Sequence, residues 1–285
     1  MSELPFDRVA ILGVGLMGAS LGLALRERGL AKSVVGFDSN AEMLKCAKKR
    51  GAIDHGTQTL PEAVLGSDLV VFAVPVGKMP HLMAQCIPYL SPNTLLTDMG
   101  STKQRIVQEG TRLFGTRFVG GHPMAGSEES GAQAGRADLF QGAAWIFTPQ
   151  IPHTDLSLLT NLVERLGARP MVLDAETHDR MIALVSHLPH VLSFAFAATV
   201  KATTEPTTAA NLSGNSYRDM TRVAASSPHL WSGILQENRA ALLAAITTFE
   251  EALQSLKADL QNASKEELQN RLTTYHLPHT PKREK

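Results

Sequence analysis

The sequence predicts an α/β protein: a mostly parallel sheet with helices over residues 1–173, then an all-helical domain over residues 174–285. Three observations lead there. Near the start, a short apolar strand runs through a glycine-rich turn into an apolar helix. Strand and helix patterns then alternate as far as Leu173, and from Asp174 onward the strand signal disappears. A chain of 285 residues is long enough for two such units.

The first element covers residues 8–18. Val9 and Ile11 belong to a buried parallel-type strand, and Gly13, Gly15 and Gly18 open a helix that reads to about Arg28. Gly13 permits the tight turn, Gly15 lets the main chain approach a pyrophosphate, and Gly18 allows close packing of helix on sheet. Free N–H groups and the positive end of the helix dipole then meet the phosphates. This is a Rossmann-type turn, with Gly13, Gly15, Leu16, Met17 and Gly18 as candidate cofactor contacts.

A second strand, residues 33–37, ends in Asp38, which lies 20 residues after Gly18. A carboxylate there accepts from the adenosine ribose hydroxyls. Ser39 and Asn40 follow, with no Arg or Lys to meet a 2′-phosphate, so NAD is favoured over NADP.

Residues 41–50 read as a helix closed by Gly51, residues 68–74 as a strand ending at Pro75, residues 76–87 as helical, and Leu95–Asp98 as another strand. Open parallel sheets bind ligands beyond the carboxyl ends of their strands. Val74 and Pro75 therefore either border a cofactor ribose or simply stop a strand. Residues 143–147 and 170–173 read as closing strands around a helix at 155–166.

In the helical half, Leu235, Leu242, Ile246, Phe249, Leu253, Leu256 and Leu260 recur at spacings of mostly three and four. Such a seam packs on its own domain and, because the domain is small, against a second copy as well. Ser264 and Glu267 form a capping box for the last helix, and the tail from His276 reads as mobile.

Composition narrows the partners. Lys plus Arg and Asp plus Glu are equal at 27 each, so no global field attracts nucleic acid or an anionic membrane. Cys46 and Cys86 suit neither a disulfide framework nor a zinc site. The longest apolar stretch, near residues 191–200, is too short to span a bilayer. A soluble cytoplasmic protein with a small-molecule ligand is expected.

Chemistry concentrates in four places. Residues 120–128, Gly-Gly-His-Pro-Met-Ala-Gly-Ser-Glu, follow a strand-like run and leave His122 at the carboxyl end of the sheet. There it is either a general base for an alcohol or a histidine satisfied by a loop carbonyl. Ser101, in Asp-Met-Gly-Ser-Thr-Lys, either caps the next helix or bonds a substrate oxygen. His187 and His190 lie three apart but lack a third ligand, and Pro189 should disturb their helix, so no metal is expected. Arg218 and Arg222, four apart, offer guanidinium forks for a carboxylate or form a solvated pair with Asp219.

Taken in order, Gly-Leu-Met-Gly-Ala-Ser, Asp-Met-Gly-Ser-Thr-Lys, Gly-Gly-His-Pro-Met-Ala-Gly-Ser-Glu, Ser-His-Leu-Pro-His and Thr-Arg-Val-Ala resemble the prephenate and arogenate dehydrogenases of tyrosine biosynthesis. The resemblance spans about residues 9–238. It implies NAD- or NADP-dependent oxidative decarboxylation, in which hydride leaves the ring's carbinol carbon and carbon dioxide departs as the ring aromatises. Mapped here, it makes His122 the group that takes or polarises the ring hydroxyl, with Ser101 hydrogen-bonded alongside. Arg222 would hold a substrate carboxylate and His187 the side-chain end, while Ser127, Glu128, Asp219 and Trp231 would lie at the pocket rim. It further implies an intimate homodimer through the helical domain. Two departures from relatives, no N-terminal chorismate mutase segment and too few residues after the dimer helix for a regulatory amino-acid-binding domain, lead to the expectation of a single activity, with any tyrosine feedback exerted at the active site. The rival readings are another two-domain NAD(P)-dependent hydroxy-acid dehydrogenase and a non-catalytic NAD-sensing dimer.

Overall fold

The structure, a computed structural model, describes residues 5–127, 129–150, 156–203 and 205–277. Its first half runs β1 (Phe6–Leu12), α1 (Leu16–Glu27), β2 (Ala31–Phe37), α2 (Ala41–Lys49), β3 (His55–Thr57), α3 (Leu60–Val64), β4 (Leu69–Phe72), α4 (Met79–Cys86), β5 (Leu95–Asp98), α5 (Gln104–Phe114), β6 (Phe118–Pro123), β7 (Ala144–Thr148), α6 (Ser157–Arg165) and β8 (Arg169–Val172). The second half contains α7 (Ala175–Ile182), a π-helical turn (Ala183–His187), α8 (Leu188–Thr203), α9 (Pro206–Asn211), α10 (Asn215–Ala224), α11 (Pro228–Glu237), α12 (Arg239–Asn262) and α13 (Lys265–Tyr275).

The strands form one sheet in the order β3-β2-β1-β4-β5-β6-β7-β8. All neighbours pair in parallel except β6 with β7. The side-chain period of two divides β1 between two cores: Val9 and Ile11 join α1, α2 and α6 on one face, while Ala10 and Leu12 join α3, α4 and α5 on the other. Burial on both faces is why the early strands read as continuous apolar runs.

Several expectations change in the structure. The three-residue β3 and the short α3 have no counterpart in the sequence reading. Strand β6 continues through His122 to Pro123, so the histidine stands in a strand, paired with Ile146, rather than on a loop. The expected break at Pro189 is absent, because the chain widens into the π-helical turn and stays helical from Ala175 to Thr203. Pro189 has no N–H to give an α-helical ladder, and the wider turn accommodates it.

That 29-residue helix reaches a hydropathy of 1.6, and by length and composition alone it could cross a membrane, contrary to the reading of residues 191–200. Leu235 and the rest of the apolar seam fall on two helices, α11 and α12. The seam runs from buried Leu242 out to Leu253 and Leu260, which are exposed. The capping box forms between Ser264 and Glu267. Glu128 and the tail beyond Leu277 lie outside the described residues.

Candidate active site

The glycine turn is built as its chemistry requires. Gly13 has φ +102°, and a Cβ there would lie 2.6 Å from the Ala73 carbonyl oxygen. A Cβ on Gly18 would overlap the Gly13 carbonyl oxygen. Gly15, at the start of α1, has nothing within 4 Å of where its Cβ would be, leaving open space in front of the helix N-terminus. This is room for a phosphate, not for packing. Asp38 closes the turn from β2: Oδ2 accepts from Val14 N at 3.0 Å and Oδ1 from Asn40 N at 2.9 Å. Each oxygen keeps a lone pair for a hydroxyl. Pro75 starts a short 3₁₀ turn, and Val74 borders Gly13.

At the far side of β4 the end of β5 holds a buried ion pair, Asp98 with Lys103. Asp98 also accepts from Gly100 N at 2.7 Å and from Gly121 N at 3.0 Å, tying β5 to β6. A Cβ on Gly121 would stand 2.5 Å from the Asp98 carbonyl oxygen, so the second glycine before His122 is there for close approach of two strands. Burial lowers the pKa of Lys103 while Asp98 opposes it.

His122 is buried, and its Nδ1 lies 2.9 Å from Nε2 of His178 on α7. Its resolved hydrogen-bond partner is that histidine, not Ser101. Burial pushes its pKa well below the ordinary histidine range, reinforced by His178, Lys103 and His187. His178 Nδ1 in turn lies 2.7 Å from Asp179 Oδ1. Asp179 accepts from the backbone N–H groups of Lys103 at 2.7 Å and Gln104 at 2.9 Å. The cap of α5 is therefore a carboxylate from the helical half; of the two readings of Ser101, helix cap or cavity hydroxyl, the structure shows no cap and places it at the cavity.

That cavity, about 530 Å³, is lined by Ser101, His122 and Ser127 from the sheet side and by His187, His190, Arg222 and Trp231 from the helical side. His187 Nδ1 accepts from Asn238 Nδ2 at 3.0 Å, and burial lowers its pKa to about 4 although Asp179 opposes this. His190 bonds the Ser186 carbonyl at 2.9 Å and stacks on Trp231 with ring centroids 3.5 Å apart; burial lowers its pKa also. The guanidinium of Arg222 is largely exposed. These groups suit an organic anion with a hydroxyl at one end.

The structure thus brings together Ser101, His122, Ser127, His187, Arg222 and Trp231. Asp219 is 77% exposed and does not line the cavity; its Oδ1 is 4.0 Å from Arg222, too far for a strong bond. Sequence reasoning missed His178, Asp179 and Asn238. His178 and Asp179 sit in a polar helical turn, Glu176 to Arg180, where nothing in the sequence sets them apart, and Asn238 lies at the junction of two helices. Among the described residues, no cluster of ligands suited to a metal is found.

Both halves of the chain match known proteins. Residues 21–172 match the nucleotide-binding domain of prephenate dehydrogenase, and residues 174–274 match the prephenate dehydrogenase dimerization domain. The chain is 34% identical over 257 residues to cyclohexadienyl dehydrogenase of Zymomonas mobilis, covering 88% of each chain. Prephenate dehydrogenase of Lactococcus lactis is 32% identical over 254 residues, 87% of this chain and 70% of the relative. A crystal structure of A. aeolicus prephenate dehydrogenase with hydroxyphenyl propionate and NAD+ superposes with a TM-score of 0.88 at 33% identity, covering 96% of this chain and 97% of that one. Synechocystis arogenate dehydrogenase follows at 0.79 and 28%, covering 94% and 96%. With both halves matched and a relative 34% identical over most of its length, the chain belongs to the prephenate dehydrogenase family.

Proposed function

We propose that this protein oxidatively decarboxylates prephenate, with NAD as the hydride acceptor. The carrying observation is the single cavity onto which His122 and Ser101 of the sheet half and Arg222 and His187 of the helical half converge. In this reading residues 1–173 hold the dinucleotide and residues 174–285 supply substrate binding and dimer contacts.

The glycine turn fits the cofactor, since the space ahead of Gly15 is open and Asp38 stands beside it. Gly13, Gly15, Leu16, Met17 and Gly18 would hold the pyrophosphate, and Asp38, Val74 and Pro75 would face ribose. When bound, NAD supplies the acceptor for the hydride from the ring's carbinol carbon. His122 takes the hydroxyl proton, for which a buried, neutral imidazole is suited. Ser101 orients that hydroxyl. Arg222 holds a carboxylate in a fork, and His187 contacts the side-chain end. Carbon dioxide leaves as the ring becomes aromatic, which makes the step effectively irreversible.

Arogenate is the second reading, favoured by the likeness to an arogenate dehydrogenase and a cyclohexadienyl dehydrogenase. The two substrates differ only by a keto or an amino group on the side chain. The purified protein is assayed with each substrate, with NAD and with NADP. NADH formation from prephenate is expected, and NADP is expected to be the poorer coenzyme because Asp38 repels a 2′-phosphate. No turnover in any of the four combinations would reject the proposal.

The working form in this reading is a homodimer. Met181, Leu184 and Val185 on the long helix and Leu253, Leu260 and Leu272 on α12 and α13 are exposed in the single chain, and a second copy of the dimerization domain would cover them. That account also explains why the apolar helix of residues 175–203 is so little buried, without a membrane. A cytoplasmic location accords with the biosynthetic enzymes to which the chain is related.

A further inference from the structure

Resting on that reading of His122 as the base, we propose that Asp179 and His178 form a two-step positioning relay that sets the tautomer of His122. The order of donors is dictated from the far end. Asp179 receives two backbone N–H groups at the start of α5, one on each oxygen. With a backbone N–H on each oxygen, this carboxylate is placed as an acceptor. His178 Nδ1, 2.7 Å from Asp179 Oδ1, must therefore carry a hydrogen and donate it. In a neutral imidazole the other nitrogen is then bare, so His178 Nε2 accepts.

The group 2.9 Å from that lone pair is His122 Nδ1, which must donate. His122 is left with an unprotonated Nε2 as its second nitrogen, the tautomer a base needs. Were the relay reversed, two lone pairs would face each other between His178 and Asp179, and Nε2 of His122 would carry a hydrogen and be blocked. When His122 takes a proton, the new charge is felt through His178 by Asp179. His178 touches neither substrate nor cofactor in this arrangement; it acts through His122. Lys103 and His187 also bear on His122, and both disfavour a charged imidazole there.

Two measurements test this. The first is the nitrogen-15 spectrum of the imidazoles in the intact wild-type protein at neutral pH, which reads tautomers without turnover. His122 and His178 should both be protonated on Nδ1 and bare on Nε2. An Nε2-protonated His122, or a doubly protonated His178, would overturn the relay.

The second is kinetic. His178→Leu should lower kcat about 10- to 100-fold and move the acid limb of the pH profile, leaving KM and the NAD dissociation constant within about twofold. His178→Gln, which can offer an acceptor oxygen to His122, should recover most of that loss. Unchanged kcat in His178→Leu, or equal loss in both variants with an unmoved pH limb, would also overturn it. If wild-type protein oxidised neither prephenate nor arogenate, the proposed function would fail while the spectrum still decided the relay.

Discussion

Asn238 donates from Nδ2 to His187 Nδ1 across 3.0 Å in a buried setting. The same nitrogen donates to the Asp179 carbonyl at 2.8 Å, so both of its hydrogens are committed. His187 must then present Nε2–H as its remaining ring donor. Asn238→Ala removes the group that imposes this, and KM for prephenate should rise roughly 5- to 20-fold, with NAD affinity unchanged. Steady-state kinetics beside a fluorescence titration of NAD check it; an unaltered KM would mean that the orientation of His187 is not used.

Two glycines three residues apart should respond in opposite ways. Gly18→Ala forces a Cβ into the Gly13 carbonyl and should lower stability by about 2 kcal/mol or more, read as a depressed Tm. Gly15→Ala meets open space and should fold normally but bind NAD about tenfold or more weakly. Equal Tm losses in the two variants would contradict the phosphate assignment.

His122→Asn should reduce kcat by about 10²- to 10⁴-fold without altering NAD affinity. Near-normal turnover would remove His122 from the mechanism. Arg222→Ala should act mainly on KM, since a carboxylate fork holds ground and transition states alike. A change confined to kcat would point to another role.

Stability should fall on mild acidification. His122, His187 and His190 are held below their ordinary pKa by burial, so the unfolded chain binds protons that the folded chain refuses. Their contribution is present above the unfolded value of about 6.5. It is lost as pH drops through the folded values, about 4 for His187. Tm measured from pH 7.5 to 4.5 should decline, and His187→Asn should decline less steeply. Parallel curves would show that His187 does not take part.

The dinucleotide half was legible because its signals are local. Val9 and Ile11, the glycine spacing and Asp38 fall within one βαβ unit, and Leu95–Asp98 was delimited by its own apolar run. Strand β3 was not legible, because three residues carry no period. His122 was assigned to a loop, since Gly120 and Gly121 weaken strand propensity and the pairing that keeps them extended comes from distant β7. His178 and Asp179 escaped notice because their partners lie 56 residues and 76 residues away in the chain. Only tertiary structure reveals that one carboxylate caps a helix and faces an imidazole.

The π-helical turn at Ala183–His187 has a consequence for how this protein tolerates change. Each α-helical residue advances the chain by about 100°. The wider turn takes in one residue more than an α-turn and absorbs it locally, so the helix on either side keeps nearly one azimuth. Losing one residue within the turn would let it close to an ordinary helical turn with α8 still facing as it does. Losing one residue from the regular helix beyond it would instead swing everything downstream by about that angle, carrying the apolar face of α8 away from its neighbours. Tolerance to a one-codon loss should therefore be greatest where the helix is widest.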